Sequence, residues 1–458
     1  MFKPLPGPLL ILFCLFACLS LSAQVKDFYP AAQDDAYLSK LAAKLQAQYK
    51  ANLNRLPSQN KQDLIEAYQL RWENIKEKFD KKEIYTSKMA QEYLDHLVAA
   101  IKQGNPVLAN MELNCYFSRS DVPNAAYIGE GIILFNMGLF SRLDNESEAV
   151  FVLCHELAHC LLRHSENGIQ QYVSTINSEE VQAQLKKIKR SEYQKHQQVE
   201  GLIKGLTFNS RRHSRDHEAQ ADSMAVQLMR NTKFDPSGAL STLALLDVID
   251  TDTLNTAVCL PQVFNSTEYP FRKKWVARST GLLGGHALVT DTSMADSLKT
   301  HPDCTKRIGL LKTLMKGWKQ PVAVRFAVDS VTFRGLQHVF RYETIEYAYL
   351  NDNYTRSLFL TLELLQKDPD DAYLVAQTGR LLNGIYGAQK GHTLGKVTDL
   401  PSSGYPANYN LLLQFIQNLY LEDVAAIDYY YLKKYHPKLD GYASFKTAFA
   451  QSEKQMKN

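Results

Sequence analysis

His155-Glu156-Leu157-Ala158-His159 is the segment of this chain best equipped for chemistry. It lies inside the apolar run Ala149 to Leu162, which reads as a helix. Positions i and i+4 share one helix face, so the two imidazoles stand about one turn apart. That separation suits two ligands of a tetrahedral zinc ion. Glu156 lies beside them without being a ligand. It is close enough to act as general base on zinc-bound water.

A third ligand must come from another element. The extended spacing of metzincins would need Gly at 162 and His at 165, and the chain has Leu162 and Ser165 instead. Ser214 to Asp222 opens a second helix in which Glu218 and Asp222 share one face at i, i+4. Glu218 supplies the acid of a His₂Glu zinc set. Asp222 is placed to accept the outer N–H of a ligand imidazole, which fixes its tautomer. His217 points about 100° away from Glu218 and reads as a non-ligand. His164, five residues past His159, reads as off the ligand face and structural.

Other elements must hold these helices. Ala36 to Gln103 is helical by pattern, with Leu38, Leu41, Leu45 and Tyr49 at spacings of three and four, then Tyr93, Leu94 and Leu97. Gly104-Asn105-Pro106 breaks it. Strand-like runs follow at Asn110 to Phe117 and Ile128 to Phe135. The polar stretch Glu179 to Gln198 reads as a solvated helix face. Pro321 to Phe333 alternates like a strand, and from Arg341 the chain is helical again. There Tyr354, Ser357, Leu364, Pro369 and Gly379 occupy positions of a degenerate tetratricopeptide unit.

Met1 to Ala23 reads as a secretory signal, with Lys3 as its positive region and Leu9 to Leu19 as its apolar region. A variant reading lipidates Cys18, and membrane contact is expected only in that case. Export leaves Cys115, Cys154, Cys160, Cys259 and Cys304, of which Cys259 and Cys304 are candidates for a bridge. The 458 residues are 45% hydrophobic and 22% charged, enough to bury a sizeable core. Lys+Arg 52 against Asp+Glu 48 leaves +4, too weak a bias to point to nucleic acid.

The two-helix combination resembles the HtpX-like and CAAX-prenyl-protease type of zinc metallopeptidase, a gluzincin family. The likeness covers about residues 90 to 315. It includes Asn124-Ala125 before Ile128-Gly129-Glu130-Gly131, Asn145 and Glu146 to Arg163-His164 around the zinc helix, and Thr300-His301-Pro302 with Arg307. The resemblance implies one zinc per chain on His155, His159 and Glu218, and a substrate strand at Asn124 and Ala125. It implies a catalytic role for His301 or Arg307 at the oxyanion, with zinc's open position as the alternative for His301. It implies an α+β fold: a mainly helical zincin-type domain with a small sheet, 24–320, after a signal peptide, 1–23. A linker, 321–340, and a tetratricopeptide-like helical domain, 341–458, complete the chain.

The implied function is an endopeptidase acting on unfolded or misassembled proteins of the periplasm or cell envelope, with outer-membrane association in view. Its partners are polypeptide substrates, with envelope proteins docking on the C-terminal helices. The alternative is a chaperone or docking protein whose proteolysis is latent or vestigial.

Overall fold

A computed structural model describes residues 28–190, 215–249, 254–277, 304–318 and 323–457. The expected leader with Cys18, the Gly281 to Gly285 stretch, the end of the polar stretch beyond 190, and Thr300-His301-Pro302 lie outside the described residues. The fold is α+β, a small sheet within a mainly helical chain.

Three strands form the sheet: β1 (Asn114–Ser118), β2 (Ala125–Gly129) and β3 (Ile132–Asn136). Their order is β1-β3-β2, with β1 parallel and β2 antiparallel to β3. The expected single strand from 128 to 135 is therefore a hairpin. Gly129, Glu130 and Gly131 all have positive φ and reverse the chain there. A Cβ on Gly131 would stand 2.7 Å from the Glu112 carbonyl oxygen, so glycine is required.

Side chains alternate across a strand, and the burial follows that period. Cys115, Phe117, Ile133 and Phe135 enter the main core, whereas Tyr116, Ile132 and Leu134 enter a separate cluster behind the sheet. That cluster is roofed by α1 (Asp35–Asn54) and α2 (Lys61–Asp80). Helix α1 buries Leu38, Leu41, Leu45 and Tyr49, the stripe that its sequence period marks.

On the opposite side, α3 (Lys88–Gly104) and α5 (Glu146–Leu161) pack in the main core, α5 following the short α4 (Met137–Phe140). Helix α5 is buried on almost every face, which its continuous apolar run requires. Asn145 caps it by accepting from the Glu148 N–H. Next come α6 (His164–Ile176), α7 (Glu179–Arg190), α8 (residues 215–230) and α9 (Gly238–Val248). Helices α8, α9 and α11 (Cys304–Leu314) close the main core.

A second core is wholly helical. It takes α10 (Thr256–Phe264), Trp275, and the helices α13 (Tyr354–Leu365), α14 (Ala372–Lys390), α15 (Ala407–Asn418), α16 (Leu421–Leu439) and α17 (Ala443–Lys457). Residues 254–277 thus pack with the C-terminal helices although they precede position 320 in the chain. Cys259 lies in this core and Cys304 in the main one, so the candidate bridge does not form.

Helix α12 (Ser330–Leu350) joins the two cores. Phe333, Leu336 and Phe340 enter the main core, and Tyr342 and Ile345 the second. The alternation expected from 321 to 333 yields only an isolated pairing of Val324 with Phe234. Asp329 then caps α12 by accepting from the N–H groups of Val331 and Thr332, so the helix begins where a strand was expected. It takes up the second half, 330–340, of the stretch expected as a linker, 321–340. Among the described residues no helix is long and apolar enough to cross a membrane.

Candidate metal centre and cleft

Helix α5 presents His155 and His159 on one face, and α8 brings Glu218 opposite them. His155 Nε2 lies 3.1 Å from His159 Nε2. Glu218 Oε2 is 3.4 Å from His155 Nε2, and Oε1 is 3.4 Å from His159 Nε2. Bonds of about 2.0–2.1 Å to a tetrahedral zinc place ligand atoms about 3.3 Å apart. The donor triangle therefore fits that ion, and among the described residues it is the group of donors able to hold a metal.

The charges around the triangle are paired. Burial disfavours a charge on His155, but Asp222 and Glu218 outweigh it and push the imidazole up to about 10. Its Nδ1 lies 3.0 Å from Asp222 Oδ1. Burial likewise opposes the Glu218 carboxylate, yet His155, His159 and Arg307 hold it well below the usual range. Asp222 is buried too, and Arg307 and His155 hold it low.

Arg307, on α11, was expected at the reacting oxygen. Its Nε and Nη2 instead donate to Asp222 at 2.7 and 2.8 Å, and Nη1 lies 3.2 Å from Glu218 Oε2. All three nitrogens face carboxylates, so the guanidinium offsets two neighbouring acids on α8, of which Asp222 is buried. The geometry therefore suits a positioning residue better than a donor to substrate. His301 lies outside the described residues.

Glu156 turns towards the sheet. Its Oε2 accepts from the Tyr127 backbone N–H at 2.7 Å. Burial pushes its carboxyl upward, against the opposing pull of His155, His159 and the Tyr127 N–H. Strand β2 is at the sheet edge, and the Tyr127 amide points away from β3, so Ala125 and Tyr127 turn their peptide groups to the open side. Asn124, Ala125, Glu156 and the donor triangle line one cleft of about 380 Å³, with Leu139, Phe151, Val152 and Leu246 as apolar lining.

Two groups of residues escaped the sequence reading. One braces β2: the Tyr127 hydroxyl donates to Glu166 at 3.1 Å, and Arg71 of α2 bridges Glu166 and buried Glu130 at 3.3 and 2.6 Å. The other is His164. Helix α5 stops at Leu161, and Arg163 takes a left-handed φ of 55°. The chain folds back, and His164 Nδ1 comes within 3.0 Å of His159 Nδ1. An i+5 argument assumes that the helix continues, and no glycine or proline among 161–163 signals that it does not. Burial first, then the His159 charge, draws the His164 imidazole down to about 4. His217 is not in the triangle, and its ring stacks on His164 at 4.2 Å.

Two histidines one turn apart, a glutamate from a second helix, an adjacent carboxylate and an edge strand are the parts that a metallopeptidase site requires. Residues 89–315 match Peptidase family M48 and form a domain of that family. The beta-barrel assembly-enhancing protease of Yersinia pestis is 26% identical over 140 residues, 29% of each chain. The match thus spans less than a third of that relative's length.

Proposed function

We propose that this protein is a zinc-dependent endopeptidase, exported to the periplasm or cell envelope, that cuts unfolded or misassembled envelope proteins. The observation that carries the reading is the donor triangle, with edges of 3.1 to 3.4 Å, beside a carboxylate tied to an edge strand. His155, His159 and Glu218 would hold the ion. When bound, zinc supplies Lewis acidity towards a water and a carbonyl.

The chain's own residues do the rest. The open edge of β2 pairs with an extended polypeptide, which favours flexible segments. The apolar lining receives an apolar side chain next to the scissile bond. Glu156 takes up a proton on its carboxylate and passes it to the leaving amine. Burial raises its pKa, which makes the carboxylate a stronger base towards that proton. Asp222 keeps the His155 ring oriented, and Arg307 keeps Asp222 ionised. The relative's printed name, an assembly-enhancing protease for β-barrels, supports an envelope substrate.

The test is zinc content and casein cleavage for residues 24–458 beside Glu156→Gln. We expect one zinc per chain in both, and at least a hundredfold loss of cleavage in the variant. Zinc bound with equal cleavage in both would overturn the role of Glu156. Zinc bound with no cleavage by the parent would favour a docking protein whose C-terminal helices bind partners.

A further inference from the structure

We infer that His164 is a positioning residue for the metal centre, fixing the tautomer and orientation of His159 through a one-way hydrogen-bond chain that ends on Gln220. This rests on the reading of the triangle as a zinc site.

Only Nε2 of His159 faces the triangle, 3.1 Å from His155 Nε2 and 3.4 Å from Glu218. A ligating ring nitrogen carries no hydrogen, so the hydrogen of neutral His159 sits on Nδ1. That atom faces His164 Nδ1 at 3.0 Å. The two facing nitrogens cannot both carry a hydrogen, so His164 Nδ1 accepts. Its own hydrogen is then on Nε2, 3.2 Å from Gln220 Oε1. An amide oxygen only accepts, which closes the chain in one direction.

The position is built rather than incidental. His164 is buried, and its ring lies on that of His217 with 12° between the planes. Gln220 stands two residues after Glu218 on α8, so one helix supplies both the third donor and the terminus of the chain. His164 cannot be a fourth ligand here, because it meets His159 on the nitrogen that faces away from the triangle.

The two imidazoles are therefore backed differently. His155 has a carboxylate behind it, itself gripped by Arg307. His159 has a neutral ring and a neutral amide. A charged acceptor raises ligand basicity more than a neutral one, so His159 is the weaker donor and depends more on being held in place.

The test uses residues 24–458 and reads zinc affinity by competition with a chromophoric chelator, with the visible spectrum of the Co²⁺ form as a second readout. His164→Leu removes the acceptor, and zinc affinity falls about 10- to 100-fold. His164→Asn returns an oxygen near the Nδ1 position and recovers most of the loss. Gln220→Leu loses less than His164→Leu.

His164→Leu binding zinc within about threefold of the parent, with an unchanged Co²⁺ spectrum, overturns the inference. Should His164→Leu fail to fold by circular dichroism, the other two variants decide. Weak zinc binding by a folded His164→Asn, with parental binding by Gln220→Leu, also overturns it. A parent that binds no zinc overturns the zinc reading and this inference together. A zinc-loaded parent that loses cleavage on Glu156→Gln but ignores changes at His164 overturns this inference alone.

Discussion

Two buried carboxylates, one in each core, receive opposite treatment. Glu146, at the first turn of α5, is fully buried and accepts four hydrogen bonds. They come from the Tyr93 hydroxyl at 2.9 Å and from the N–H groups of Ala327, Val328 and Asp329 at 2.7 to 2.8 Å. Asp428, on α16, is equally buried, and neither of its oxygens has a hydrogen-bond partner among the described residues. Burial alone pushes its carboxyl well above the ordinary range. A buried acid with donors around it joins segments distant in sequence. One without donors gives up its charge and burdens the fold.

Removing the first should do the most damage. Glu146→Ala leaves the buried Tyr93 hydroxyl and three backbone N–H groups without their acceptor and loosens the start of the helix that carries His155 and His159. A loss of about 3–5 kcal/mol in urea unfolding is expected. A loss below 1 kcal/mol would remove the contrast between the two acids.

A partnered acid can be made to resemble the unpartnered one. Arg307→Met strips Asp222 of the guanidinium that holds it low. The metal-free chain should lose about 2–3 kcal/mol, and its zinc affinity should fall as the His155 ring loses its brace. Unfolding curves with and without zinc separate the two effects. Equal stability of variant and parent would mean that Arg307 is not what keeps Asp222 charged.

The smallest effect has the opposite sign. Asp428→Asn should stabilise the protein at pH 7 by about 1–3 kcal/mol. The folded group keeps its proton because its pKa is raised, while the unfolded group releases it above about pH 4. The folded state then binds more protons, so the parent loses stability as pH rises through that value and up to the folded pKa. The advantage of Asp428→Asn should therefore vanish near pH 3 and grow with pH. An advantage independent of pH would point to packing instead of charge.

The legible parts of this molecule are those encoded by local period. The stripe on α1, the His155–His159 pair and the Glu218–Asp222 face all depend on i, i+3 and i, i+4 spacing within one helix, and each stands where its spacing places it. The role of Glu146 was illegible because its partners arrive from residues 327 to 329, nearly two hundred positions away. His164 was illegible because a left-handed residue without a glycine redirects the chain. Residues 254–277 lie in sequence between α9 and α11 of the main core, yet Trp275 and Phe264 bury themselves among α15 and α16. A one-dimensional pattern names a buried face but not the surface that covers it.

Helix α12 has a mechanical meaning. Its 21 residues span about 30 Å, one half embedded in each core, with no proline along its length. It is a girder, and a hinge between the two halves of the molecule would have to bend it at mid-span, breaking i to i+4 bonds that nothing else replaces. The two halves therefore travel together as one stiff piece.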